Sequence, residues 1–141
     1  MNNTNKRILG IDYGDKRVGV AISDELQFTA QPLKLLKRQN DYALITEIKD
    51  IIVVHNVGKI IIGLPVSLDG TYSSQTKKTQ KFISRIRKSS DLPIEKWEER
   101  LSTLEASKIL TGVSKIKKKK TIDIISAQLI LQGYLDRNRK K

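Results

Sequence analysis

Ile8-Leu9-Gly10-Ile11-Asp12-Tyr13-Gly14 reads as a buried β-strand carrying one carboxylate. Side chains on a strand alternate between its two faces. Leu9, Ile11 and Tyr13 therefore share one face, and Gly10, Asp12 and Gly14 share the other. The glycines clear side chains from around Asp12 and leave room for an ion or a backbone to approach. Arg17 to Ser23 repeats the pattern, with Val18, Val20 and Ile22 on one face and Gly19, Ala21 and Ser23 on the other. Gly14-Asp15-Lys16 between them is turn chemistry, so the two strands are expected to form a hairpin. Paired in that register, Asp12 stands on a patch of small residues. A strand-end Asp satisfied by backbone donors is common, but it leaves small residues on both strands unexplained. A buried charge needs a partner or a metal.

With 141 residues the chain is expected to be one domain, residues 1–141, long enough to bury a real core. The apolar runs near Ile51–Val54 and Ile60–Leu64 are too short to span a bilayer. The first residues lack the apolar segment of a signal peptide, which points to the cytoplasm and away from membranes. The chain has no cysteine, which removes disulfides, thiolate zinc sites and cysteine nucleophiles. Its single histidine, His55, excludes a histidine-rich metal site and leaves little basis for a Ser-His-Asp triad.

The formal net charge is +12, and the excess is localised. Residues 1–70 are nearly balanced, with nine Lys/Arg against eight Asp/Glu. Residues 71–90 hold six cations and no acid, and residues 106–141 hold ten against two. Residues 91–105 between them are acidic, five against two. Clustered positive charge of this kind meets polyanions, most often DNA or RNA.

Further along, Phe28 to Leu36 supplies a third antiparallel strand, broken near Pro32. Asn40 caps a helix on which Leu44, Ile45, Ile48, Ile51, Ile52 and His55 recur at helical spacing, with Gly58 as its stop. His55 on that apolar side is a packing residue. Lys59-Ile60-Ile61-Ile62-Gly63-Leu64 suits a central strand buried on both faces, parallel to the first. Pro65 to Ser74 is a loop at that strand's carboxyl end, where α/β proteins place ligand loops. A helix then runs to about residue 89, with Phe82, Ile83 and Ile86 inward. Lys78, Lys81, Arg85 and Lys88 line one outer face, where their mutual repulsion favours a bound polyanion. Leu92 to Glu98 is another strand, running into Glu98-Glu99-Arg100. Ser102-Thr103-Leu104-Glu105 is a capping box and starts a helix at Ser102. The lysine tract through Lys120 reads as a mobile, solvated segment. Thr121 then caps a last helix to about Leu135, with Asp123 in its first turn on the side of Ser126, Ala127 and Ile130. The basic tail frays from about residue 136.

These elements, and four motifs in order, resemble the YqgF/RuvX family of pre-16S ribosomal RNA nucleases and Holliday junction resolvase-like proteins. The motifs are Ile8 to Ala21, Ile62-Gly63-Leu64-Pro65 with Asp69-Gly70, Glu99-Arg100-Leu101-Ser102-Thr103, and Asp123-Ile124-Ile125-Ser126-Ala127. Where the family usually has Asp-Glu-Arg, this chain has Glu98-Glu99-Arg100, which leaves either glutamate to reach a metal. The resemblance implies a ribonuclease H-like α/β fold: a five-stranded mixed sheet, antiparallel over its first three strands and then parallel, with helices on both faces. It implies a nuclease whose catalytic residues are Asp12, Glu98 or Glu99, and Asp123. Asp12, Glu99 and Asp123 would be the metal ligands. Carboxylates without histidine or thiolate suit Mg²⁺ or Mn²⁺, and two such ions ~4 Å apart would activate water and steady the leaving 3′ oxygen.

The strand would be held by Lys16, Arg17, Lys78, Lys81, Arg85, Lys88, Arg100, Lys115, Lys117, Lys118, Lys119 and Lys120, with salt-dependent affinity. The expected substrate is a ribosomal RNA precursor. Branched DNA and a non-catalytic role on ribosomal particles are the alternatives, and the chain is expected to be a monomer or weak dimer.

Overall fold

The computed structural model describes residues 6–67, 69–99 and 115–139. The elements run β1 (Arg7–Tyr13), β2 (Arg17–Ser23), β3 (Ala30–Lys37), α1 (Asp41–His55), β4 (Val57–Pro65), α2 (Ser74–Ser89), β5 (Ile94–Glu99) and α3 (Lys115–Arg139). The strands form one sheet in the order β3-β2-β1-β4-β5. β1 pairs antiparallel with β2 and parallel with β4; β2 pairs antiparallel with β3, and β4 parallel with β5. This is the ribonuclease H-like α/β arrangement that the motifs imply.

The two faces of β1 separate as its alternation requires. Leu9, Ile11 and Tyr13 pack with Val18, Val20 and Ile22 against Leu44, Ile48 and Ile51 of α1 and Phe82, Ile83 and Ile86 of α2. The other face, with Ile8, Ala21, Ala30 and Ile61, packs under Ala127, Ile130, Leu131, Tyr134 and Leu135 of α3. β4 is buried on both faces, since Ile60, Ile61, Ile62 and Leu64 are each almost wholly covered. The third strand bends where expected: the β2–β3 register shifts between Val20 and Ala21, and Ala21 stands opposite Pro32. Proline brings no ladder donor, so the edge strand yields there.

Asn40 caps α1, its side chain accepting from Ala43 N at 2.8 Å. The stop differs from the expectation. Asn56 takes the left-handed conformation (φ 55°) and closes the helix, and Gly58 already belongs to β4. Asn tolerates this conformation better than most residues. A Cβ at Gly58 would instead meet the Lys6 side chain at 2.8 Å.

The last helix also departs from the expectation. It begins at Lys115, so the lysine tract is its first turns, and Thr121 and Asp123 lie inside it. Nor does it fray at residue 136. It continues to Arg139, whose guanidinium donates to the Phe28 carbonyl and pairs with Asp136. The helix expected to start at Ser102 lies outside the described residues.

α3 and the sheet meet backbone to backbone. A Cβ at Gly10 would stand 2.7 Å from Leu131 Cβ and 3.2 Å from the Ala127 carbonyl oxygen. Neither obstacle is the free end of a side chain, so Gly10→Ala must push α3 off β1. Overpacking of this kind costs about 1–3 kcal/mol. We expect Gly10→Ala to lower the urea midpoint correspondingly, whereas Gly58→Ala, opposed only by a lysine stem, lowers it less. Equal midpoints for wild type and Gly10→Ala would refute the close contact.

Candidate active site

Asp12 lies one residue before the carboxyl end of β1, on the α3 face, and is half-buried. Its partner on β2 is Gly19. On the other side Ile11 pairs with Ile62, so the next position of β4 beside Asp12 is Gly63. Both lateral neighbours of the carboxylate therefore lack a side chain.

The other acids are placed by register. α3 runs antiparallel to β1: Ala127 and Leu131 cover Gly10, while Asn138 and Arg139 lie near Ile8 and Phe28 at the other end. From Gly10 to Asp12 is two strand residues, about 7 Å. From Ala127 back to Asp123 is four helix residues, about 6 Å in the same direction. The backbones at Asp12 and Asp123 thus reach one level of the molecule. Ser126, between Asp123 and Ala127, is buried, and its hydroxyl has no hydrogen-bond partner among the described residues.

On β5, Trp97 pairs with Gly63 and packs against the α3 cluster. Glu99, two residues on and opposite Pro65, occupies a register position of that same face. Glu98, opposite Leu64, is exposed and takes the alternate position. The carboxyl ends of β1, β4 and β5 thereby bring Asp12 and Glu99 to one rim, beneath the amino-terminal half of α3. Among the described side chains no three His, Cys, Asp or Glu cluster closely enough to hold a metal; those of Glu99 and Asp123 are outside that description.

The cations divide between the faces. Lys78, Lys81, Arg85 and Lys88 are exposed on α2, on the side away from Asp12. Lys78 pairs with Asp15 at 3.4 Å, and Arg85 pairs with Asp41. Lys16 is exposed at the hairpin turn, and Arg17 begins β2 beside it. The backbone of Lys115, Lys117, Lys118, Lys119 and Lys120 forms the start of α3, at the end of the molecule where Asp12 lies. Arg100 lies outside the described residues.

Sequence reasoning did not find the polar network that fixes the end of β1. The Tyr13 hydroxyl donates to Asp41 at 2.7 Å and accepts from Arg38. Its ring stacks on Phe82 with centroids 4.4 Å apart. The Gln75 amide donates to the Tyr13 carbonyl at 2.9 Å, and Arg38 Nε donates to the Asp15 carbonyl at 2.9 Å. Asp41, only 9% exposed, also receives Arg85. Asp12 is thus carried by a residue whose neighbour is tied to α1, α2 and the β3–α1 connection. The signal in the sequence was Tyr13 itself, a polar tip at the end of an otherwise aliphatic face.

Burial, with the Asp41 hydrogen bond behind it, raises the Tyr13 phenol above its ordinary value of 10.0 against the opposing pull of Arg38. A group whose folded value is raised gives stability that is complete below the unfolded value and lost as pH climbs through the folded one. Unfolding free energy should therefore decline above about pH 10. Tyr13→Phe should flatten that alkaline decline in pH-dependent urea titrations, and an unchanged slope would count against the network.

A sequence model of the RuvX family, described as "Holliday junction resolvase", matches residues 6–137. A Halothermothrix orenii protein named "Putative pre-16S rRNA nuclease" is 44% identical over 136 residues, 95% of this chain and 97% of that one. A Clostridioides difficile protein of the same name is 45% identical over 132 residues, 92% and 94% of the two chains. Among solved structures, Fowlpox virus resolvase with Holliday junction DNA aligns at TM-score 0.57 and 14% identity, over 94% of this chain and 98% of that one. The T. thermophilus RuvC–Holliday junction complex aligns at TM-score 0.55 and 9% identity, over 94% and 96%. At such identities the two structures speak for the fold. The match across nearly all of the described residues, joined to relatives at this identity, makes the chain a member of the RuvX family.

Proposed function

We propose that this protein is a divalent-metal-dependent endonuclease of structured nucleic acid, acting at the 5′ end of pre-16S ribosomal RNA in the cytoplasm. We read residues 1–141 as a single nuclease domain. The observation that carries the reading is the rim: Asp12, Glu99 and Asp123 come from three separate elements, and their backbones converge on one face. Both strand positions beside Asp12, Gly19 and Gly63, are glycines, so no neighbouring strand side chain crowds the carboxylate from the sheet. A donor set of carboxylates alone is chemistry for a hard cation, Mg²⁺ or Mn²⁺.

Asp12, fixed at the end of a clamped strand, is the carboxylate around which the ion would be held, with Glu99 and Asp123 completing the set. Glu99 is preferred to Glu98 because strand alternation gives it the face of Asp12. When bound, the metal supplies Lewis-acid stabilisation of phosphoryl charge and a more acidic water. The remaining work is positioning, for which the chain has cations. Lys16 and Arg17 at the hairpin, with Arg100 and the lysines of α3, hold the phosphodiester near the rim.

The pre-16S reading rests on the names of the relatives, which cover nearly the whole chain. Holliday junction cleavage is the second reading, favoured by the description attached to the family model. One preparation of the full chain, assayed on a 16S precursor 5′ end and on a four-way DNA junction, separates them. Cleavage should require Mg²⁺ or Mn²⁺, stop with EDTA and favour the RNA. Asp12→Asn should reduce it by more than the roughly 10- to 100-fold that losing an outer-shell partner of a metal costs. Binding should remain intact or tighten, since a carboxylate that repels phosphate is gone. Wild-type cleavage by Asp12→Asn in Mg²⁺ would remove the site.

A further inference from the structure

We infer that Trp97 is a stacking platform for an unpaired nucleobase, seating one base of the nucleic-acid strand beside the rim. The inference rests on the nuclease reading for its placement and goes beyond it in naming a binding site and what fills it. Trp97 is the register partner of Gly63 and belongs to β5, an edge strand of the sheet. Ile11 pairs with Ile62, so Gly63 is also the β4 position beside Asp12. Asp12 and Trp97 therefore stand at one level on the α3 face, two strand spacings or about 10 Å apart across the sheet. Position 63 between them adds no side chain of its own. A strand whose phosphate is seated at Asp12 can lay an adjacent base over position 97.

The indole is held as a platform must be. It meets the Tyr134 ring edge to face, with centroids 6.1 Å apart. A Cβ at Gly133 would just touch it at 3.4 Å, so the backbone of α3 lies close against it. A ring braced in this way loses little freedom when a ligand arrives. Yet it is only half-buried, and it opens on a cleft of 270 Å³ that Lys96, Arg137 and Asn138 also line. The Arg137 guanidinium lies over the ring, 5.7 Å from its centroid. Neither Arg137 nor Lys96 makes an ion pair among the described residues. The acid in the cleft, Glu95, is engaged by Lys59 at 2.8 Å. An aromatic face flanked by cations suits a single strand: the ring takes a base, and the cations take its phosphates. A guanidinium can also lie flat on a base's other side. Every base has a π-face, so the platform reads no sequence and selects instead for a base that is not paired.

Trp97 is the chain's only tryptophan, so its emission reports on the site directly. A single-stranded oligoadenylate, titrated into the full chain carrying Asp12→Asn so that no cleavage intervenes, should quench that emission saturably. Inorganic polyphosphate, which has the charge and no bases, should not. Trp97→Ala should weaken oligoadenylate binding by about tenfold, read from the anisotropy of a labelled oligonucleotide. Trp97→Phe should recover most of that loss. Neither change should alter the slope of log K against log salt, since no charge is removed. Failure to bind, binding that leaves the Trp97 emission unmoved, or equal quenching by polyphosphate would overturn the platform, whether or not Trp97→Ala folds. Wild-type affinity in Trp97→Ala would do the same. If oligoadenylate quenches as expected while the wild type cleaves nothing in Mg²⁺, the platform stands and the nuclease reading fails; cleavage with unmoved emission does the reverse.

Discussion

At Gly10 the nearest obstacle to a methyl group is Leu131 Cβ, and at Gly63 it is the end of the Ile130 side chain at 2.3 Å. At Gly10 the sheet and α3 are therefore in contact at a separation that admits no additional carbon, while at Gly63 a side-chain end fills the space. Much else follows from this approach. Ala127 and Ser126 are small because they lie in the same contact, and both are completely buried. The register of α3 on β1 brings Asp123 level with Asp12. A larger residue at position 10 would lift the helix and carry Asp123 away from the rim, so the same glycines that pack the core also set the spacing between two acids.

The two faces of the sheet do different work. On the α1–α2 face the polar groups at the end of β1 satisfy one another: Tyr13, Arg38, Asp41 and Arg85 form a connected network around a buried carboxylate. A buried polar network specifies one arrangement when every member is partnered. Its consequence at the rim is indirect. Tyr13 cannot move without disturbing α1 and α2, and Asp12 is the preceding residue. The clamping network is built on one face and Asp12 stands on the other, an arrangement that preorganises a carboxylate on regular elements.

How far the sequence speaks depends on whether an interaction is local. The alternation around Asp12, the Asn40 cap and the α2 stripe are written in neighbouring residues, and the structure has them as read. The start of α3 is different. Thr121 is a good local cap, but lysine is a fair helix former and no glycine or proline separates Ser114 from Thr121. Once Ala127 to Leu135 are packed, extending the helix backwards costs little, because propagation is far easier than nucleation. Gly58 misled for a related reason: Asn56 serves as the stop two residues earlier. The Arg17–Lys37 pairing is not legible at all, since it depends on the β2–β3 register beyond the shift at Pro32. The faces of Glu98 and Glu99 are of the same kind, unreadable from composition and set by which of them follows Trp97 by two.

The net charge of +12 shows that a polyanion is favoured and says nothing about where it lies. Partnering refines the picture. The Lys78–Asp15 pair joins two exposed side chains, and such pairs are worth about 0–1 kcal/mol, so phosphate can displace the acid. The Arg85–Asp41 pair is different, because its acid is largely covered and Arg85 is one of the three groups, with Tyr13 and Arg38, that hold it. Of the α2 cations, Lys81 and Lys88 are therefore freer to meet a ligand than Arg85. They lie on the opposite face from Arg17 and Lys37, and Lys78 links α2 to the hairpin turn through Asp15. A nucleic acid that engages both sets must pass from one face of the sheet to the other. A straight, isolated strand cannot do so without bending sharply, whereas a folded or branched one presents phosphates on two sides of a corner.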